Sequence, residues 1–345
     1  MHKSLYTMLL TALFMSMLVA CQTSSGQEAS AERHIFPIRG ISVEAPPQKV
    51  EAETFEPMQA LHANWVSIIP FGFSRGNTPT VHFNTKQWWG ERLDGAAMQI
   101  QYAHAKGFKV LLKPHVWIGG QGWPGDYNLE SEEDWKAWES SYSEYILASA
   151  RIAEENQAEM FCVGTEYRIA ARERPAFWRK LIEEVRAVYS GPLTYAANWD
   201  NYQKVSFWDA LDYIGVDAYF PVCDLQTPQV ETVKAGWQPW SHELSTFAKQ
   251  YNRQIIFTEY GYRSIDYTAA GHWNVEDKSK EVNLDGQVNA YEGMFQALEQ
   301  EDWFAGGFLW KWHISGYRNG GLEDDRFTPQ NKPVEKVIAK WYGAK

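Results

Sequence analysis

Two glutamates carry the chemistry this sequence can do. "MFCVGTEY" (160–167) is an apolar run that ends on one carboxylate, Glu166, and "QIIFTEYGY" (254–262) repeats the pattern with Glu259. A lone Glu at the end of a buried strand serves either as a structural ion-pair partner or as a reactive group. Two such residues, placed alike on different strands, fit a reaction that needs two carboxyls. Hydrolysis of a glycosidic bond is one: an acid protonates the leaving oxygen while a second carboxylate attacks the anomeric carbon or activates water.

Positioning the pair requires strands whose ends converge. Short β-like runs fall at 36–44, 63–73, 109–117, 160–167, 191–200, 211–222, 254–262 and 304–313. Helical patterns are expected near 53–62, 92–106, 173–189, 230–251, 284–300 and 332–342. Another helix starts at Ser131, where "SEED" resembles a capping box and Trp135, Trp138, Tyr142, Tyr145 and Ile146 recur at helical spacing. The fifth connection, near 203–210, is short. Eight β/α units in 345 residues predict a (β/α)₈ TIM barrel with long strand-to-helix loops. The rival, a doubly wound open sheet, lacks its glycine-rich loop after the first strand. Long links such as "IGGQGWPGDYNLE" all follow strands, which marks the C-terminal face as the working face. Glu166 and Glu259 close strands four and seven on that face, an arrangement that favours a retaining reaction.

Of the 17 Trp residues, ten fall in strand ends or strand-to-helix links: Trp88, Trp89, Trp117, Trp123, Trp199, Trp237, Trp240, Trp273, Trp310 and Trp312. Exposed aromatic rings are unfavourable without a partner. Sugar rings present apolar C–H faces that stack on them, so such a cleft suits an oligosaccharide, with three or four of the ten in contact.

"VGTEY" and "FTEYGYRS", supported by "DYIGVDAYFP" and "GGFLWKWH", resemble the motifs of clan A retaining glycoside hydrolases, in particular glycoside hydrolase family 113, whose characterised members act on β-1,4-mannan. The resemblance covers about residues 36–342. It implies Glu166 as general acid/base and Glu259 as nucleophile, with no cofactor. Thr165 stands where much of the clan has an Asn that holds the sugar 2-hydroxyl. Tyr219 resembles the clan tyrosine that hydrogen-bonds the nucleophile, with simple packing as the alternative. His115 ends strand three, with Lys113 on the same side by alternation, and is either a sugar contact or hydrogen-bonded structure. Asn198 and Trp199 are a polar and a stacking candidate. Trp310 and Trp312 share a side of strand eight, and one of them forms a floor for the sugar. Asp217 is a neighbour of the site or a loop cap.

The formal net charge is −11 without basic runs, which argues against a nucleic-acid partner. No G-x-S-x-G elbow, P-loop or H-E-x-x-H occurs, and the histidines lack ligand spacing, so no metal is expected. Residues 1–20 have the layout of a secretory signal, and "LVAC" resembles the lipobox of bacterial lipoproteins, with lipidation at Cys21. An ordinary signal peptide or uncleaved anchor is the alternative. Gln22 in place of Asp implies an outer-membrane destination in the cell envelope. Residues 21–33 read as a flexible tether and 34–345 as one barrel domain, expected to be a monomer. The expected function is a retaining, endo-β-1,4-mannanase-like hydrolase acting on an oligo- or polysaccharide. Alternatives are another β-glycanase, such as a β-glucanase, or a non-catalytic glycan-binding lipoprotein.

Overall fold

The computed structural model describes residues 35–75, 78–271, 281–316 and 319–345. The signal segment, Cys21, the tether and Trp273 lie outside the described residues. Eleven strands are described: β1 (Ile38–Val43), β2 (Trp65–Ile68), β3 (Phe71–Arg75), β4 (Thr78–His82), β5 (Lys109–Leu112), β6 (His115–Gly119), β7 (Met160–Thr165), β8 (Leu193–Asn198), β9 (Ile214–Asp217), β10 (Ile255–Tyr260) and β11 (Phe304–Trp312). Eight of them close a parallel barrel in the order β1-β11-β10-β9-β8-β7-β5-β2. Each expected β run contributes one barrel strand, so the (β/α)₈ reading holds. The intervening helices are α1 (Leu93–Ala105), α2 (Glu132–Glu155), α3 (Arg168–Glu173), α4 (Pro175–Arg186), α5 (Val230–Tyr251), α6 (Leu284–Leu298) and α7 (Val334–Gly343). The expected helix at 53–62 is a 3₁₀ helix, Ala52–Leu61, with Pro57 inside it. Ser131 caps α2 by accepting the Asp134 N–H at 3.0 Å.

Two expected runs, 63–73 and 109–117, each divide in two. Pro70 follows β2 and Pro114 follows β5, and neither can donate a ladder hydrogen bond. Beyond these prolines the chains leave the barrel and pair again as β3 and β6. With β4 they form a three-stranded sheet, β4-β3-β6, at the barrel mouth. One face of this sheet packs on α2. A Cβ at Gly72 would lie 3.1 Å from the Tyr145 ring, and the Val81 N–H donates to Ser141 Oγ at 3.0 Å.

Strand alternation sorts the core into two layers. Inside the barrel, Ile38, Trp65, Leu111, Met160, Cys162, Ala196, Ile256, Ala305 and Phe308 pack together. Outside it, a larger cluster joins strands to helices. In that cluster the helical stripe predicted for α2 is buried throughout, and Trp138 stacks on Tyr142 at 4.8 Å. Burying each such side chain contributes about 1.5–3 kcal/mol. At the barrel floor β11 crowds β1. Gly306 has φ +102°, and a Cβ there would lie 2.0 Å from the Ile38 carbonyl oxygen. Gly306→Ala therefore combines a backbone conformation that disfavours side chains with a direct clash. It is expected to cost roughly 1–3 kcal/mol, read as a lower urea midpoint at unchanged slope. An unchanged midpoint would refute the close approach.

Candidate active site

Both glutamates reach the barrel mouth through an irregularity in their strands. Between β7 and β8 the register shifts from Cys162 to Thr165, and between β10 and β9 it shifts from Phe257 to Glu259. Such bulges turn the following side chains away from strict alternation. Glu166, directly after β7, has φ +55°, a left-handed conformation that costs a non-glycine residue about 1–2 kcal/mol. Its N–H donates to the Ala196 carbonyl and its carbonyl accepts from the Arg168 N–H, both at 2.8 Å, which fixes the turn.

The two carboxyls meet different surroundings. Glu259 is buried and accepts two strong hydrogen bonds, from Lys113 Nζ at 2.6 Å and from the Tyr219 hydroxyl at 2.7 Å. Both donors stabilise a negative charge. Glu166 accepts one neutral donor, Trp123 Nε1, at 2.8 Å. Burial, followed by the charges of Asp217 and Glu259, holds the Glu166 carboxyl well above the usual range, so it keeps its proton. Burial also raises the Tyr219 phenol, as does the charge of Glu259, and it remains a donor.

Asp217, undecided from sequence, is a neighbour of the site. It ends β9 fully buried, and its Oδ1 accepts from Thr258 Oγ1 at 2.8 Å and Lys113 Nζ at 3.2 Å. Burial and the Glu259 charge push its carboxyl up to about 7, against the opposing pull of Lys113. Lys113 is itself fully buried. Burial lowers an ammonium, but Asp217 and Glu259 more than offset this and it stays charged.

His115 lies on the same side as Lys113, as expected. Its Nε2 is 3.6 Å from Glu259 Oε1 and its ring is stacked parallel to Trp310, with centroids 6.1 Å apart. Burial and the charges of Lys113 and Lys311 lower its basicity far enough to keep the imidazole neutral. Asn198 is buried at the end of β8. Its amide donates to Asp200 at 3.1 Å, while its carbonyl oxygen has no partner among the described residues. Thr165 turns its hydroxyl to the Pro114 carbonyl at 3.4 Å.

The tryptophan expectations divide. Trp310 faces the site, but Trp312 does not share its side. Ile41 and Val43 of β1 pair with Leu309 and Trp312 of β11, so β11 holds one extra residue, and this bulge sends Trp312 into the outer core. Trp199 packs edge-on against Phe220 and Trp240. Trp89 and Trp237 are core residues. The contact that sequence reasoning left unassigned is Trp123, whose ring also stacks on the Arg168 guanidinium at 4.9 Å. A Cβ at Gly125 would lie 2.3 Å from that ring, so "WPG" was its available signal.

A parallel barrel whose mouth holds one protonated carboxyl and one carboxylate held by cationic and phenolic donors is the equipment of a glycosidase. The comparisons agree. The model of Glycoside Hydrolase Family 113 matches residues 47–332, and the chain belongs to that family. It is therefore a retaining glycoside hydrolase. The β-mannanase of Alicyclobacillus acidocaldarius, solved in complex with ManMIm, is 31% identical, with a TM-score of 0.79 over 89% of this chain and 97% of that one. A second structure, a β-1,4-mannanase complex of the same family, is 29% identical, with a TM-score of 0.79 over 90% of this chain and 99% of that one. No curated protein sequence matches the chain.

Removing Lys113 tests the charge arrangement. Lys113→Met leaves Asp217 and Glu259 buried without their cation, a change expected to cost about 3–5 kcal/mol near pH 8. The Asp217 carboxyl, already near 7, rises further in this variant. A raised folded-state value means that stability is present at low pH and lost as pH rises through it. The deficit should therefore shrink at pH 5, as measured by urea denaturation at both pH values. A pH-independent deficit would contradict the arrangement.

Proposed function

We propose that the protein is a retaining endo-β-1,4-mannanase in which Glu259 is the nucleophile and Glu166 the general acid/base. The observation that carries the assignment is the asymmetry of the pair: Lys113 and Tyr219 donate to Glu259, whereas Glu166 keeps its proton. In the first step the Glu259 carboxylate attacks the anomeric carbon as Glu166 gives its proton to the departing glycosidic oxygen, leaving a covalent glycosyl–enzyme. In the second, Glu166, now ionised, takes a proton from a water molecule that attacks the same carbon and releases Glu259. His115 and Trp310 form a wall of the sugar site, and Asn198 offers a polar contact. The preference for mannan is supported by the two β-mannanases of the family that the chain resembles over most of its length.

We also propose that the barrel is tethered to the outer membrane through lipidated Cys21, a reading supported by "LVAC" and the polar stretch after it.

Product analysis on mannan, glucomannan, β-glucan and xylan tests the function, with Glu259→Ala as partner. Mannan cleavage with retained anomeric configuration, abolished in the variant, is expected. Cleavage of another β-glycan would replace the substrate, and full activity of Glu259→Ala would end the assignment. Glycan binding without any cleavage would favour a binding protein.

A pH profile separates the two carboxyls. Activity should fall on the alkaline side as Glu166 loses its proton, with the limb displaced upward because burial holds this carboxyl well above the usual range. Glu166→Gln should lose about 10²–10⁴-fold on mannan. On an aryl glycoside whose leaving group needs no proton, the alkaline limb should disappear with it. Persistence of that limb in the variant would assign it to another group.

A further inference from the structure

The side sheet carries an aromatic face that the catalytic reading does not use. In β6, His115 and Trp117 point to the same side, and in β3 the residues paired with them are Phe71 and Phe73. The opposite face is covered by α2, so these four rings lie on the open side. Three of them are linked ring to ring, and the fourth, Trp117, is set beside Phe73 by strand pairing. Trp310 stacks on His115, His115 meets Phe71 edge-on at 5.4 Å, and Phe71 lies 6.5 Å from Phe73, whose strand partner is Trp117. At His115 the row passes 3.6 Å from the Glu259 carboxylate, and its outer strand position holds a Trp that is 52% exposed. Two residues of strand advance the chain roughly 6–7 Å. Trp117 is therefore set beyond the sugar that occupies the catalytic centre.

A half-exposed indole on the same face as three further aromatic rings makes an apolar patch of the kind that marks a binding groove. Flat rings in a row, continuous with the wall of a glycosidase site, match the repeated apolar C–H faces of a β-linked pyranose chain. We propose that the β3–β6 face, with Trp117 as its outer ring, is a distal subsite platform that binds the substrate chain away from the scissile bond and makes the enzyme select long oligosaccharides over short ones. The platform rests on the mannanase reading, since it takes the same chain that the glutamates cut. Binding energy gathered there is spent at the reacting centre, so its loss appears in kcat/KM for substrates long enough to reach it.

The test compares β-1,4-mannohexaose with β-1,4-mannotriose, using the full chain. In wild type, kcat/KM is expected to be higher for the hexaose. Trp117→Ala should reduce the hexaose-to-triose ratio of kcat/KM by roughly tenfold. Phe73→Ala should reduce it in the same sense, and Trp117→Phe, which keeps a ring, should recover most of it. An unchanged ratio in Trp117→Ala, with wild type cleaving both substrates, would overturn the platform while leaving the mannanase reading intact. If wild type cleaves neither, that reading fails and the platform for mannan fails with it. A concentration-dependent dimer that Trp117→Ala abolishes, at unchanged ratio, would assign the face to a second copy of the chain and also overturn the proposal.

Discussion

The ammonium of Lys113 sits at the barrel mouth, shut off from water, with Glu259 on one side and Asp217 on the other. Glu166 brings a third carboxyl within reach of the same charges. Desolvation raises the Asp217 and Glu166 carboxyls. One cation cannot compensate three, so the proton distribution depends on where that cation points. It points most closely at Glu259. Asp217, at the longer distance, is left near 7, and Glu166 receives only an attenuated share. The same charge keeps His115 neutral, so the imidazole beside Glu259 adds no competing cation.

Geometry reinforces that distribution. Glu259 belongs to a strand and meets donors on both oxygens, whereas Glu166 stands past the end of its strand in a left-handed turn. The indole that orients Glu166 through its edge N–H comes from the long link after β6, and Arg168 lies over its face. Glu166, the acid/base of the proposed mechanism, is thus held by a neutral donor, which suits both protonation states of a carboxyl. Glu259, the nucleophile proposed above, is held by an ammonium and a phenol, donors that favour an anion.

Much of this was legible in the sequence because burial makes charge conspicuous. Glu166, Glu259 and Lys113 each interrupt an apolar run, and only a functional or paired group tolerates that position. The barrel was legible for a similar reason, since each strand buried on both faces reads as a short apolar block. The bulges were not. Trp312 was placed beside Trp310 by counting in twos, and one extra residue in β11 invalidates the count without leaving a mark in composition. Trp123 was hidden differently: it lies in a link with no periodicity, among several tryptophans that looked alike. Asp217 was ambiguous because a strand-end Asp has the same local sequence whether it caps a loop or faces a cation.

The prolines connect these observations. Pro70 and Pro114 end neighbouring barrel strands two residues after β2 and β5, and each removes a backbone donor where the chains turn outward. Because both strands stop at the same height, the two chains leave together and pair again, with the His115 N–H donating to the Pro70 carbonyl at 2.9 Å. That restart brings His115 next to Glu259 and aligns Trp117 on the same open face. Lys113 is the last residue before the break and His115 the first after it, so the break itself spaces the ammonium and the imidazole around one carboxylate. The His115 position beside Glu259 and the aromatic face beyond it consequently belong to one sheet, and a shift in β6 register would disturb both.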